Sequence, residues 1–312
     1  MSKRIWHKIV IGAFQFILFL ARIVPLKAVL PLAAAFGSLA YRLSARYRNV
    51  GLKNLTLAYG DELTDAEKRR IVEDVFRNFA KGAIAEFPYV GSMTPDHVRR
   101  LVTIDPKDEE YLWSLYREGN GILFITGHFG NFELAAKRIA IEGIKLWVVA
   151  RLDRNAVMAD LFNGIRKHGG YQVLGRGNAA KEVMRALKRG ELVAMLPDQK
   201  SDDVWVPFFG RLSGTVAGPA ILAMRTGAPL IPAFCVRQPD DTHHVMLLPR
   251  IEAVSTGDQH ADVDRIMTAV NAAIETAVRR HPDQWLWVHD RWRDTPPPDA
   301  VARWERAHAE TS

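Results

Sequence analysis

The sequence predicts an α/β protein whose mostly parallel central sheet is covered by helices. Two observations carry this. From Gly121 onward, short apolar runs alternate with amphipathic helical stretches, the signature of strand–helix units. The runs ILFIT (122–126), KLWVVA (145–150) and LVAML (192–196) are also apolar but for Thr126 and Lys145 at their ends, as strands buried on both faces are.

The first part of the chain has a different character. Ile9 to Ala21 is apolar but for Gln15, with Lys3, Arg4 and Lys8 before it and Arg22 and Lys27 after. Ala28 to Ala40 is also apolar but contains Pro31. Neither reaches the ~20 residues a spanning helix needs. Extending the first from Trp6 to Leu26 brings in Lys8 and Arg22, which can snorkel near the ends. The readings are one short span or helices lying in the interface, with a buried helix pair as the soluble alternative. A cleaved signal peptide is not expected, because the apolar stretch continues without a small-residue cleavage site. Arg42 to Lys53 is basic and suits either an anionic membrane surface or a solvated helix face.

Thr64 to Tyr89 reads as one long amphipathic helix capped by Thr64, with Ile71, Val75, Phe76 and Phe79 at helical spacing. Then comes GILFITGHFGNFEL (121–134): a strand, a break at Gly127, a turn through His128 to Gly130, and Asn131 as N-cap of a helix that Gly143 closes. The strand KLWVVA leads to Arg151, and a helix (156–168) ends at Gly169-Gly170. Tyr171 to Leu174 is a short strand before Arg176, and the helix AAKEVMRALKRG precedes the strand ending at Pro197-Asp198-Gln199. Val206 to Gly210 (VPFFG) puts two aromatics in a loop, to grip an apolar chain or to pack beneath a cleft. A helix (217–227), two adjacent strands (228–236 and 245–251) and a helix (262–280) follow. The Trp- and Arg-rich stretch 284–293 suits a membrane interface, a tunnel wall or C-terminal packing, and the polar residues after Thr295 are expected to be loosely held. The chain thus divides into an anchor (1–45), an α/β domain (46–295) and a flexible polar tail (296–312).

Net charge is +7 and the pI about 9.5, so anionic partners are expected: phosphates, acidic lipid surfaces or an acidic carrier protein. The single cysteine, Cys235, excludes an internal disulfide framework and sits in an apolar strand, as an inert buried thiol does. There is no H-E-x-x-H and no Cys/His cluster, so no metal is expected.

His128 and Glu133 are the residues with chemistry. Within one helix, residues five apart point about 140° from each other and cannot cooperate. With His128 in the turn before the helix, Glu133 can reach back to an imidazole nitrogen, fixing a neutral tautomer that acts as general base. Ten histidines and 35 acidic residues in 312 give about one His-x4-acid match by chance, and His289–Asp294 is a second. Position favours the first, at the carboxyl end of a strand, where open α/β sheets bind ligands. If the strands are parallel, His128, Arg151, Arg176 and Asp198 all project from one sheet edge, where two arginines suit a phosphorylated substrate.

The segment GHFGNFE (127–133) resembles the catalytic motif of the bacterial lipid A late (lauroyl/myristoyl) acyltransferases, within the His-x4-Asp/Glu glycerolipid acyltransferase group. LKRGELVAMLPDQ (187–199), VPFFG (206–210) and HPDQWLWVHDRWR (281–293) fit the same family in the same order. The resemblance implies a glycerolipid-acyltransferase-like fold on the cytoplasmic side of the inner membrane. It implies transfer of a fatty acyl chain to a hydroxyl of a 3-hydroxyacyl chain on a phosphorylated glucosamine lipid. The donor would be an acyl carrier protein thioester or acyl-CoA as co-substrate, with no cofactor. His128 would be the base and Glu133 its partner. Asn131, Arg151, Arg166, Arg176 and Asp198 would bind or support substrate. Arg166 matches an Arg in the family's N-x6-R-x3-G pattern, but Ala159 stands where the Asn would be.

Other classes fit less well. An esterase would usually display G-x-S-x-G, which is missing, and no nucleic-acid motif accompanies the basic charge, although an anionic-lipid-binding protein shares that charge. Phosphatidylinositol mannoside acyltransferases share the His-x4-acid core. VPFFG and the Trp-rich stretch favour the lipid A type.

Overall fold

The computed structural model describes Gly12, Phe16, Phe19 and residues 23–150, 156–175 and 179–309. Helix α1 (Leu26–Leu43) leads through Ser44 into α2 (Ala45–Tyr59). Helix α3 (Asp65–Ala80) starts at a reciprocal capping box in which Thr64 accepts from the Glu67 amide and Glu67 accepts from the Thr64 amide. The expected single helix to Tyr89 is interrupted. Lys81–Glu86 widens to a π-helical turn before the short α4 (Phe87–Val90). The wider turn shifts the side-chain register, and Glu86 ends fully buried.

Helix α5 (Pro95–Leu101), strand β1 (Val102–Ile104) and helix α6 (Pro106–Glu118) precede the main alternation. That alternation runs β2 (Ile122–Ile125), α7 (Phe132–Ala140), β3 (Leu146–Ala150), α8 (Ala156–His168), β4 (Gln172–Gly175), α9 (Ala179–Lys188) and β5 (Leu192–Met195). A hairpin of β6 (Val204–Phe208) and β7 (Arg211–Thr215) follows. The chain then forms α10 (Gly218–Thr226), β8 (Leu230–Arg237), β9 (His243–Leu247), α11 (Gln259–Arg280) and α12 (Pro298–Ala309).

Seven strands form the main sheet in the order β1-β9-β8-β2-β5-β3-β4. The five from β8 to β4 are parallel; β9 runs antiparallel to β8, and β1 is parallel to β9. The carboxyl ends of β2, β3, β4 and β5 therefore lie at one edge, as their sequence pattern predicts. All four residues of β2 are buried because both faces are covered. Ile122 and Phe124 join a core with Leu134 and Ile139 of α7 and Leu112 of α6, while Leu123 and Ile125 join another with α9, α10 and α11.

VPFFG is strand and turn rather than loop. Phe209 (φ 50°) and Gly210 (φ 66°) occupy the two positive-φ positions of the tight hairpin turn. Phe209 is kept there by packing on Trp287 and by Glu275, which accepts its amide at 2.6 Å. Phe208, Phe209, Trp285 and Trp287 are all buried in this aromatic core, so they form neither a membrane belt nor an open tunnel wall. Residues 298–309, expected as a loose tail, form α12 instead. Its Ala300 is buried, and Arg303 lies 3.8 Å from Asp264 of α11.

Helix α1 packs on α3 through Gly37, where a Cβ would come within 2.6–2.9 Å of the Phe76–Arg77 backbone. Its other face leaves Leu32, Phe36, Leu39 and Leu43 more than half exposed. By length and composition alone this helix is apolar enough to cross a membrane.

Candidate active site

His128 stands in the turn between β2 and α7, and three backbone hydrogen bonds from two segments hold that turn. The Gly130 amide donates to the Gln284 carbonyl (2.8 Å), the Asn131 amide to Cys235 O (3.3 Å), and the Leu286 amide to His128 O (3.1 Å). Gly130 has φ 53°, and a Cβ there would fall 1.7 Å from Cys235 O, so no side chain fits. Asn131 caps α7 as expected, its Oδ1 accepting the Leu134 amide at 3.0 Å. Its Nδ2 donates to Glu86 at 2.6 Å, and Arg237 grips both oxygens of Glu86 (2.7 and 2.6 Å). Asn131 is therefore a scaffold of the turn, tied to a buried ion pair.

The carboxylate on the imidazole is Asp198, not Glu133. Its Oδ1 lies 2.9 Å from His128 Nδ1, and its Oδ2 accepts the His128 amide at 2.7 Å and the Trp285 indole N–H at 2.9 Å. Burial alone would raise this carboxyl. The charge of His128, its ring and backbone N–H groups and the Trp285 donor outweigh burial and hold it below the ordinary aspartate value. An ionised Asp198 fixes the proton on Nδ1 and directs the basic Nε2 outward. Gln199 places its amide nitrogen 3.3 Å from Nε2, and the His128 side chain is 27% exposed.

Glu133 faces elsewhere because successive helix residues turn by about 100°. Phe132 meets the His128 ring edge-on (5.8 Å), which turns Glu133 toward α8. There Arg166 donates from Nε and Nη2 (3.1 and 2.6 Å to Oε1), and the Tyr171 hydroxyl donates to Oε2 at 2.5 Å. Burial, then the Glu133 charge, pushes the Tyr171 phenol well above its usual value, so it stays a donor. Burial opposes the charge on Arg166, but Glu133 more than restores it. Glu133 thus clamps α7 to α8 and β4, and Arg166 is its counter-ion. Arg151 and Arg176, which follow β3 and β4, lie outside the described residues.

Residues Asp198 and Trp285 complete the site through contacts across 70 and 87 positions. Sequence placed Asp198 at the right sheet edge, but nothing local links Trp285 to a carboxylate. Among the described residues no group of three or more His, Cys, Asp or Glu side chains is arranged to hold a metal ion.

The profile of the bacterial lipid A biosynthesis acyltransferase family matches residues 2–294. The chain belongs to this family. Among lipid A biosynthesis acyltransferases, it is similar to the lauroyltransferase of Escherichia coli K12, at 26% identity over 285 residues and 90% of each chain. It is also similar to the myristoyltransferase of the same organism, at 24% identity over 83% of this chain and 79% of the relative. A phosphatidylinositol mannoside acyltransferase of Mycolicibacterium smegmatis is 25% identical over 63% of this chain and 65% of its own. The protein is therefore an acyltransferase, and both of these lipid A relatives match more of its length than the mannoside acyltransferase does.

Proposed function

We propose that this enzyme transfers a fatty acyl chain from a thioester donor, an acyl carrier protein or acyl-CoA, to a hydroxyl on an acyl chain of a phosphorylated glucosamine lipid. The observation that carries the reading is the His128–Asp198 pair, with Nδ1 bonded at 2.9 Å and the partly exposed ring in a turn tied to the wall of an apolar groove. The groove, about 480 Å³, lies between α1, α3 and residues 286–288, where Leu286 is hydrogen-bonded to the His128 turn. Its walls include Phe36, Phe76, Phe79 and Ile84.

In this mechanism Nε2 of His128 takes the proton of the acceptor hydroxyl, and the oxygen attacks the thioester carbonyl carbon. Asp198 stabilises the imidazolium that forms. First-turn amides of α7, or Arg151, meet the oxyanion of the tetrahedral intermediate. Collapse breaks the carbon–sulfur bond, and the imidazolium returns its proton to the departing thiolate. No acyl-enzyme is formed. Glu133 acts through Arg166 and Tyr171, keeping the turn and α8 in place.

The exposed apolar face of α1 and the arginines that follow support attachment to an anionic membrane surface on the cytoplasmic side of the inner membrane. The packing of the opposite face of α1 on α3 supports a helix lying in the interface over a spanning one. Mass spectrometry of lipid A from cells with and without the gene tests the function. One acyl chain should disappear and be restored by the parent protein but not by His128→Ala. An unchanged acylation pattern would refute the reading.

A further inference from the structure

A second, polar basin adjoins the apolar groove. It holds about 530 Å³ and lies between the start of α2 and residues 288–293, and the two share Tyr47 and Val288. Gln199, on its wall, places its amide nitrogen 3.3 Å from His128 Nε2, so one side chain links basin and imidazole. Arg46, Lys200, His289 and Arg293 line it. Lys200 is anchored by Asp202 and Asp294, and Asp290 on the rim is paired with Lys53 at 3.1 Å. Arg293 touches Asp294 only through Nε at 3.4 Å, and its side chain is 64% exposed. No acidic side chain pairs with Arg46 among the described residues, so the basin carries a surplus positive charge. His289 accepts the Lys200 amide at Nε2 (3.2 Å), and burial lowers its affinity for a proton. The neutral ring therefore keeps its hydrogen on Nδ1 and serves as a donor.

We propose that this basin is a phosphate subsite, which seats the anionic head of the same substrate whose hydrocarbon lies in the adjoining groove. A flat guanidinium that lacks a carboxylate partner, with a second on the opposite wall, matches a phosphate ester by charge and by donor geometry. An apolar trough opening into a cationic basin selects an amphiphile with a charged head. The inference rests on the acyl-transfer reading for which substrate is meant. A phosphate monoester on the glycolipid acceptor and the phosphodiester of a pantetheine thioester donor share this chemistry.

Titration calorimetry of the full chain with dodecyl phosphate and with dodecyl glucoside, both below their micelle concentrations, tests the subsite directly. The parent protein should bind dodecyl phosphate at least tenfold tighter. Arg46→Glu/Arg293→Ala, two exposed positions, should abolish that preference and leave dodecyl glucoside binding within twofold. Equal binding by the parent, or a preference that survives the substitutions, would overturn the proposal. Transfer kinetics then identify the source. A tenfold rise in KM confined to the phosphorylated acceptor, with a dephosphorylated acceptor unaffected, assigns the acceptor. A rise confined to donors carrying the phosphodiester, with acyl-pantetheine unaffected, assigns the donor. No rise in either KM overturns the assignment. If the parent transfers no acyl group, the acyl-transfer reading fails while the calorimetry still decides the subsite.

Discussion

Replacing Asp198 with Asn removes one charge at nearly constant shape, and the hydrogen bonds around it set the outcome. Oδ2 accepts two N–H groups, from the His128 backbone and Trp285, whereas Oδ1 meets only His128 Nδ1. An asparagine has one carbonyl oxygen to offer. Turned toward Nδ1, it would set its NH2 against two donors and forfeit two bonds, each left unmade at about 1–3 kcal/mol. It therefore keeps its oxygen on those two donors and aims its NH2 at Nδ1. That nitrogen becomes an acceptor, the proton moves to Nε2, and the base disappears. The expected fall in kcat is about 10³- to 10⁴-fold, or roughly 4–5.5 kcal/mol of barrier, with KM within about threefold. Single-turnover transfer of labelled acyl groups measures this, with circular dichroism confirming the fold. A folded Asp198→Asn enzyme within tenfold of the parent rate would refute the tautomer argument.

Other substitutions probe the surroundings. Glu133→Gln leaves Arg166 charged and poorly paired in a partly buried setting, and should lower unfolding stability by about 3 kcal/mol. Adding Arg166→Met should recover much of it, so a double-mutant cycle in urea that shows no coupling would count against the clamp. Gly130→Ala collides with Cys235 O and should cost about 3 kcal/mol or more, read as a fall in the urea midpoint together with lost transfer. His243 is fully buried, its Nε2 3.3 Å from Glu86, and burial drops its pKa to about 4. Between pH 4 and 6.5 the unfolded chain binds this proton and the folded one does not. Stability should therefore decline as pH falls through that window, by about 3 kcal/mol, and His243→Leu should flatten the slope.

The central strands β2, β3, β5 and β8 were legible in the sequence because they are largely apolar and their turns carry Gly, Pro and Asn at the expected places, whereas the three-residue edge strand β1 gave no such run. His128 was legible because the strand–turn–helix pattern around it is local. The partner of His128 was not: the i+5 carboxylate is near in sequence, but the direction of a first-turn side chain depends on where α7 begins and on what α8 offers. Asp198 reached the correct edge by strand order alone, whereas its bond to the imidazole needs the β2–β5 register to be known. The π-helical turn left no composition signal, since KGAIAE (81–86) suits an ordinary helix. The aromatics of VPFFG and the Trp-rich stretch were ambiguous because rings suit cores, tunnels and interfaces equally.

Trp285 sets a timetable for the enzyme. Synthesis proceeds from the amino end, so the imidazole and its aspartate leave the ribosome well before the indole that steadies them and the Gln284 carbonyl that ties down the Gly130 amide. The first helices, the sheet strand β2 and the turn it feeds are all made while the reactive corner is still unassembled. A product cut short before this tryptophan would leave the Asp198 carboxylate without its indole donor and the turn without its Gln284 and Leu286 ties.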